Sequence, residues 1–130
     1  MSFIYYKYTS VIITPQASDP TAKILIIGEE ERPPYMRPPL SKELWFVNDE
    51  QAKQELRFKQ WNGKEKSLLY EPMPFYTPVK ELEEAKNGGI SVATGRRVVK
   101  IDATNQIAHL EDGATVKYVF YIFNDIIFKI

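Results

Sequence analysis

The sequence contains no cysteine and a single histidine, His109, among its 130 residues. The lack of cysteine excludes disulfides, thiolate catalysis and the usual zinc cages built from cysteine and histidine. One histidine alone does not make a histidine-rich metal site. We therefore expect neither thiol chemistry nor a metal centre, and we expect His109 to lie on an exposed or edge strand without a functional role.

An excess of charge of either sign is also missing. The 17 Lys and Arg residues balance the 17 Asp and Glu residues, so the formal net charge is zero. Such a chain has no global electrostatic field to attract a nucleic acid or a membrane surface. Apolar residues make up 44% of the sequence, and a chain of this length is sufficient for one domain with a hydrophobic core.

Long apolar runs and targeting signals are absent as well. The most apolar stretch, Tyr118 to Phe128, is interrupted by Asn124 and Asp125, and it is far shorter than the roughly 20 residues of a spanning helix. The first 13 residues contain one lysine and no arginine, which is not typical of a mitochondrial transit peptide or of a signal peptide. We expect no membrane span and no targeting segment in this chain.

The first half of the chain predicts a buried strand followed by a loop and short helices. The short apolar run Lys23 to Ile27 is typical of a strand buried on both faces in a parallel sheet. Four prolines between Arg32 and Pro39 predict a loop. Ser41 is expected to cap a short helix that starts at Lys42, and Asn48 or Asp49 to cap a second helix that runs to Phe58.

The second half of the chain favours strands. Asn62-Gly63 predicts a hairpin turn, and a helix over Val79 to Lys86 is expected to stop at Gly88 or Gly89. Beyond Ile90 a period of two predicts the strands of a β-meander, joined by turns at Thr104-Asn105 and Asp112-Gly113. Its strands are Val98 to Ile101, Gln106 to Leu110 and Thr115 to Val119. Two further segments rich in β-forming residues are Phe3 to Thr14 and Tyr118 to Ile130.

An acidic turn directly after the first buried strand is the first candidate site. Glu29 follows Lys23 to Ile27 and Gly28, and it is followed by Glu30 and Glu31. In dinucleotide-binding folds a carboxylate after the second strand accepts hydrogen bonds from the adenosine ribose hydroxyls. The alternative is a solvated acidic turn, which a short match of this kind does not exclude.

Two cations follow in the proline-rich loop. Arg37 is preceded by Tyr35-Met36 and followed by prolines, and a rigid loop that presents one guanidinium suits bidentate recognition of a pyrophosphate. The alternative is a surface salt bridge of small energy. Lys42 is expected in the first turn of a helix, where its charge opposes the helix dipole. That placement suggests an anion or a carboxylate partner.

Long motifs carry a resemblance to a known family. The segments are PPYMRPPLSKELW (33–45), LRFKQWNGKE (56–65), NGG (87–89) and TGRRVV (94–99). They resemble the family of mitochondrial apoptosis-inducing factors, FAD-dependent NAD(P)H oxidoreductases, over about residues 19–118. The resemblance implies an α/β fold, an FAD-binding Rossmann-like domain with a three-stranded β-meander.

The resemblance also implies roles at matching positions. Glu29, with Glu30, would hold the adenosine ribose, and Arg37 would contact the pyrophosphate of FAD. Lys42 would lie near the isoalloxazine ring as a catalytic group that stabilises the reduced, anionic flavin. Val98 would pack on the adenine, and Trp61 would match an aromatic that senses the redox state, with core packing as its alternative. Trp45 is expected in the core.

The chain departs from the family pattern at both ends. The first 20 residues contain no glycine, whereas the family opens with a glycine-rich phosphate-binding turn. We therefore divide the chain into a non-matching segment 1–19, a partial FAD-binding domain 20–118 and a non-matching tail 119–130. The nicotinamide domain is not recognised either. We expect the isolated chain to be inactive, to hold FAD poorly and to fold marginally, with Phe3 to Thr14 covering the buried strand.

Three functional readings stay open. The first is an incomplete FAD-binding domain of an oxidoreductase that the resemblance places in the mitochondrial intermembrane space, and in the nucleus on apoptosis, with protein partners in import or respiratory assembly. The second is a non-catalytic short isoform that binds protein or DNA through the cations of residues 53–66. The third is a truncated gene product without function. The cations of the second reading are Lys53, Arg57, Lys59, Lys64 and Lys66.

Overall fold

The computed structural model describes the backbone of residues 19–122 and 127–129 and the side chains of residues 19–119. The chain divides into two compact units. The first unit comprises Met1–Pro33 and Met73–Ile130, and the second unit comprises Pro34–Pro72. The predicted strand at Phe3 to Thr14 lies outside the described residues.

The strands of the first unit are β1 (Lys23–Ile27), β4 (Gly89–Ala93), β5 (Val98–Asp102), β6 (Ile107–Leu110), β7 (Thr115–Lys117), β8 (Phe120–Ile122) and β9 (Ile127–Lys129). Those of the second unit are β2 (Arg57–Lys59) and β3 (Glu65–Ser67). The α-helices are α1 (Glu43–Phe46), α2 (Glu50–Gln54) and α3 (Val79–Leu82), and 3₁₀ turns lie at Pro38–Ser41 and Met73–Phe75.

The main sheet of the first unit has the strand order β4-β1-β9-β8. β1 runs parallel to β4, with Lys23 opposite Gly89 and Ile27 opposite Ala93. This confirms the predicted parallel strand. On its other edge β1 pairs with β9 in the antiparallel direction. The sheet is therefore mixed, and on that edge it differs from the parallel sheet of a Rossmann-like domain.

β1 is buried on both faces, as its continuous apolar sequence predicts. Side chains alternate across a strand, and Leu25 and Ile27 pack in one cluster with residues such as Leu82. Ile24 and Ile26 pack in a second cluster with two aromatic or aliphatic neighbours, Tyr76 and Ile90. Ile24 is 2% exposed. The apolar core of the first unit therefore lies on both sides of β1.

The predicted helix before β4 is much shorter than expected. It spans only Val79–Leu82 instead of Val79 to Lys86. Gly88 has the positive φ of 68°, the left-handed conformation that was predicted for Gly88 or Gly89. Gly89 then donates its N–H to Ala22 O at 3.0 Å, so this turn joins the start of β4 to the start of β1.

The meander is confirmed. β5, β6 and β7 form an antiparallel sheet in chain order. The turn between β5 and β6 is held by the Asp102 carboxylate, which accepts from the N–H groups of Thr104 and Asn105 at 3.1 and 3.0 Å. The expected position of His109 on an exposed or edge strand was wrong, because this residue lies half-buried on β6, the central strand of the meander. The final β-forming stretch also contains strands, β8 and β9.

The second unit is built around the β2–β3 hairpin. Its core contains Leu44, Phe58 and Leu68. The Asn62-Gly63 turn is confirmed, and Gly63 takes a φ of 78°. The strands on either side of the turn are Arg57–Lys59 and Glu65–Ser67.

Three local predictions in the second unit were wrong. Ser41 lies in a 3₁₀ turn and makes no cap, because α1 begins after Lys42 without a side-chain cap. Asp49 does cap α2 by accepting from the N–H groups of Gln51 and Ala52, but that helix ends at Gln54 because the chain turns into the hairpin. Trp45 is not in the core, since its side chain is 74% exposed.

Candidate functional site

The carboxyl ends of the parallel strands β1 and β4 lie side by side. Three backbone hydrogen bonds join the two segments that follow these strands. Gly28 donates its N–H to Ala93 O at 3.1 Å, Gly95 donates to Glu30 O at 3.0 Å, and Arg96 donates to Gly28 O at 2.9 Å. In open α/β sheets, ligands bind outside the carboxyl ends of the strands. The acidic turn therefore occupies the position at which a ligand is expected.

Glu29 forms an ion pair in this turn. Its Oε1 lies 3.1 Å from Nε of Arg97, and the two side chains are 70% and 60% exposed respectively. A pair of this exposure contributes at most about 1 kcal/mol to stability. The ion pair thus orients the carboxylate, while its exposed oxygens can still accept hydrogen bonds from ligand hydroxyls.

Val98 provides an apolar surface directly after Arg97. It opens β5, is half-buried, and packs against the core cluster that contains Leu25 and Ile27. This residue is fixed by the core and still partly accessible, as a contact to a flat apolar ring requires. Glu30 lies in the same turn with an exposed side chain, and its backbone oxygen is already bonded to Gly95.

The first unit therefore brings together two of the predicted groups, Glu29 with Glu30 in one turn and Val98 at the start of β5. A carboxylate acceptor at the end of a parallel strand and a partly exposed valine fit the adenosine half of FAD. Sequence reasoning assigned no role to Arg97. The signal for it was the arginine pair that follows the Thr94-Gly95 turn, which was noted only as part of a family motif.

The second unit holds the other predicted residues. Arg37 is exposed, and its guanidinium carbon lies 5.7 Å from the centroid of the Tyr35 ring. The loop that carries it is fixed to the hairpin, since Met36 donates its N–H to Leu68 O at 2.8 Å and Tyr70 donates to Pro34 O at 3.2 Å. The expected presentation of one guanidinium by a constrained loop is therefore present.

Lys42 and Trp61 are also exposed in the second unit. Lys42 stands at the N-cap position of α1, one residue before the predicted helical position. Trp61 lies in the turn of the β2–β3 hairpin and is 97% exposed. Core packing, the alternative for Trp61, is therefore wrong, and its redox-sensing role stays a prediction.

Two of the cations that were predicted to bind DNA form ion pairs with carboxylates. Lys53 Nζ lies 2.8 Å from Glu50 Oε1, and Arg57 pairs with both Glu55 and Glu65. The hydrogen bond that Arg57 donates to the Glu65 carboxylate is the main cause that raises the pKa of Arg57 above its ordinary value. These pairs weaken the local positive field that a nucleic acid would require, and DNA binding stays a prediction.

The described residues contain neither a cluster of metal-ligating side chains nor a membrane-spanning helix. Within residues 19–122 and 127–129, no three acidic, histidine or cysteine side chains gather as metal ligands. In the same ranges no helix has the length and apolarity that crossing a bilayer requires.

Comparison with known proteins identifies relatives but no matching family model. The chain is 48% identical over 106 residues to a Drosophila melanogaster protein described as a mitochondrial apoptosis-inducing factor 1. It is 32% identical over 101 residues to apoptosis-inducing factor 1, mitochondrial, of Dictyostelium discoideum. These matches include 79% and 78% of this chain but only 14% and 17% of the two relatives. Over nearly four fifths of its own length, the chain is therefore a homologue of the mitochondrial apoptosis-inducing factors.

Proposed function

We propose that the chain is part of the FAD-binding domain of a mitochondrial NAD(P)H-dependent flavoprotein oxidoreductase. The observation that carries this proposal is the position of Glu29 directly after the parallel strand β1. Backbone hydrogen bonds join the turn that contains Glu29 to the turn after the neighbouring strand β4. Support also comes from the 48% identity to a relative described as a mitochondrial apoptosis-inducing factor 1. Links to apoptosis and respiratory-chain maintenance are part of the same proposal.

The first unit would bind the adenosine half of FAD. The Glu29 carboxylate would accept hydrogen bonds from the ribose hydroxyls, with Glu30 in the same turn, and Val98 would pack on the adenine. A hydrogen bond to a charged group contributes about 1.5–3 kcal/mol, and the exposure of Glu29 places its contribution at the lower end. The ion pair with Arg97 would hold the Glu29 side chain in place before the nucleotide arrives.

In the second unit, the resemblance implies roles for two exposed cations, Arg37 and Lys42. Arg37 offers a planar guanidinium that can donate two parallel hydrogen bonds to pyrophosphate oxygens. Lys42 places a positive charge by the isoalloxazine ring, where it favours the reduced, anionic form. FAD itself, when bound, would supply the acceptor for hydride from NAD(P)H.

The chain alone would bind FAD only weakly and would not transfer hydride. Glu29, Arg37 and Lys42 are all solvent-exposed or nearly so, whereas cofactor sites enclose most of the surface of their ligand. Hydride transfer further requires both cofactors to be held face to face. Without such enclosure, a dissociation constant in the range of about 1 mM is the expected scale.

Equilibrium dialysis of the whole chain against FAD tests this proposal. The purified chain is expected to carry no stoichiometric flavin, and to bind added FAD weakly and saturably. Glu29→Gln should weaken that binding by about 5- to 10-fold, equivalent to about 1 kcal/mol. The matched control is Glu31→Gln, an exposed carboxylate of the same turn to which no role is assigned, and it should bind as the unchanged chain does.

Two results would count against the proposal in different ways. Flavin that copurifies in a one-to-one ratio would contradict weak binding and leave the site assignment standing. Equal affinities for Glu29→Gln and Glu31→Gln would contradict the role of Glu29. Oxidation of NADH by the purified chain above that of free FAD would contradict the proposed inactivity.

A further inference from the structure

The antiparallel strand β9 occupies one edge of the parallel strand β1. The register joins Ile24 to Lys129, Leu25 to Phe128 and Ile26 to Ile127. β8 then pairs with the far edge of β9, with Tyr121 opposite Phe128. We call β8 and β9 together the terminal strand pair. Its position gives the buried strand β1 a neighbour on both edges.

The hydrogen bonds of β1 show which of its amides face each neighbour. Gly28 donates to Ala93 O in β4, and Ala22 O accepts from Gly89 N–H in β4. In a strand, the N–H and C=O of one residue face the same edge, and successive residues face opposite edges. Even-numbered residues of β1 therefore face β4, and Leu25 faces β9, where it stands opposite Phe128.

The edge of β1 that faces β4 is held along the whole strand. The register of β1 with β4 covers all five residues of β1. Two backbone hydrogen bonds beyond the ends of β1 support this contact, from Gly89 N–H to Ala22 O and from Gly28 N–H to Ala93 O. Because β4 is bonded to the chain beyond both ends of β1, we expect the edge that faces β9 to open first when local structure is lost.

An uncovered edge of β1 would be a strong template for another strand. Its sequence is KILII, with the four residues Ile24, Leu25, Ile26 and Ile27 all buried. A flat apolar strand with free N–H and C=O groups pairs readily with a second chain. Two copies of β1 can pair antiparallel about Leu25, since a two-fold contact brings the same residue of each copy together.

We propose that the terminal strand pair is a displaceable cover on β1, which keeps that edge from pairing with β1 of a second copy of this chain. In the usual order of dinucleotide-binding sheets, the acid-bearing second strand lies between the third and first strands, all parallel. If β1 is that second strand, which rests on the proposed function, β9 occupies the edge that the first strand would need. Covering by β9 and completion by a parallel strand are then mutually exclusive.

Hydrogen–deuterium exchange read at single amides of the whole chain tests the cover. Phe128→Pro removes the N–H that faces Leu25, while Phe128→Val keeps that N–H and a residue that favours strands. In the unchanged chain and in Phe128→Val, the amide of Leu25 should exchange slowly. In Phe128→Pro it should exchange faster by on the order of 100-fold, while the amides of Ile24 and Ile26, which face β4, stay protected.

Light scattering after size exclusion supplies the second readout. Phe128→Pro should form a concentration-dependent dimer, and Phe128→Val should elute as the unchanged chain does. The proposal is overturned if Leu25 exchanges freely in the unchanged chain, because β9 then does not cover β1. It is also overturned if Phe128→Pro speeds amide exchange at Ile24 and Ile26 as much as at Leu25, or if this variant does not form a dimer. None of these readouts involves FAD, so a failed cofactor proposal would leave their outcome unchanged.

Discussion

At the scale of single residues, Gly88 has little freedom to change. It has a φ of 68°, and a Cβ placed there would lie 2.6 Å from the backbone oxygen of Ala22. Both a left-handed backbone and a close approach of two chain segments thus require glycine. The sequence motif at 87–89 is explained by this turn, which aligns the starts of β1 and β4.

Gly88→Ala should destabilise the first unit. The added methyl group meets backbone atoms that cannot move without shifting the start of β1, and the left-handed conformation is itself costly for alanine. A loss of about 2 kcal/mol or more in the free energy of unfolding is expected. Urea unfolding followed by circular dichroism measures it. Gly113→Ala is the control, because Gly113 also has a positive φ of 85° but nothing lies within 4 Å of its added Cβ, so it should lose less.

Asp102 makes the meander sensitive to acid. The hydrogen bond from the side chain of Asn105, with those from the backbone N–H groups of Asn105 and Thr104, lowers the pKa of Asp102 below its ordinary 3.8. A lowered pKa in the folded state means that the stabilisation is fully present above about 3.8 and is lost as the pH falls through the folded-state value.

The difference in melting temperature between the unchanged chain and Asp102→Ala should therefore be largest at neutral pH and shrink as the pH falls below 3.8, the ordinary pKa. Thermal scans in steps between neutral and strongly acidic pH measure it. A difference that stays constant over that range would show that Asp102 acts only through its shape in the turn. Glu111→Ala, at an exposed position in the next turn, is the control.

At the scale of elements, β1 determines the stability of the first unit because it packs on both faces. Ile24 is 2% exposed, whereas Val99 of the meander is 57% exposed. Ile24→Ala should lower the free energy of unfolding by about 2–5 kcal/mol, and Val99→Ala should change it by less than about 0.5 kcal/mol. Denaturant titration of both variants checks the contrast. Similar losses for the two would contradict the placement of β1 in the core.

Among the strands and helices, some were predictable from the sequence and others were not. β1 and the meander were predicted correctly because continuous apolar runs and two-residue alternation report burial directly. The helix lengths were not, because α2 and α3 end where turns into the hairpin and β4 begin, and no local signal marks those points. Trp45 was misplaced since composition assigns tryptophan to cores, and only the packing of the short helix α1 decides which face it buries.

At the scale of the whole molecule, the candidate residues fall into two units. Glu29 and Val98 lie in the first, and Arg37, Lys42 and Trp61 lie in the second. The position of Glu29 was predictable, because an acid directly after a buried strand must lie at the carboxyl end of that strand. Its pairing with Arg97 was not, because the partner comes from a turn 68 residues later in the chain and depends on the parallel register of β1 with β4.

We propose that the turn after β1 binds the adenosine half of FAD. The most direct test is a titration of the isotope-labelled chain with FAD, followed by the backbone amide shifts in two-dimensional NMR. Saturable shifts are expected at Gly28 to Glu30 and at Gly95 to Val98. Their midpoint should move to about 5- to 10-fold higher FAD concentration in Glu29→Gln and stay unchanged in Glu31→Gln. Shifts confined to other segments, or none at millimolar FAD, would contradict it.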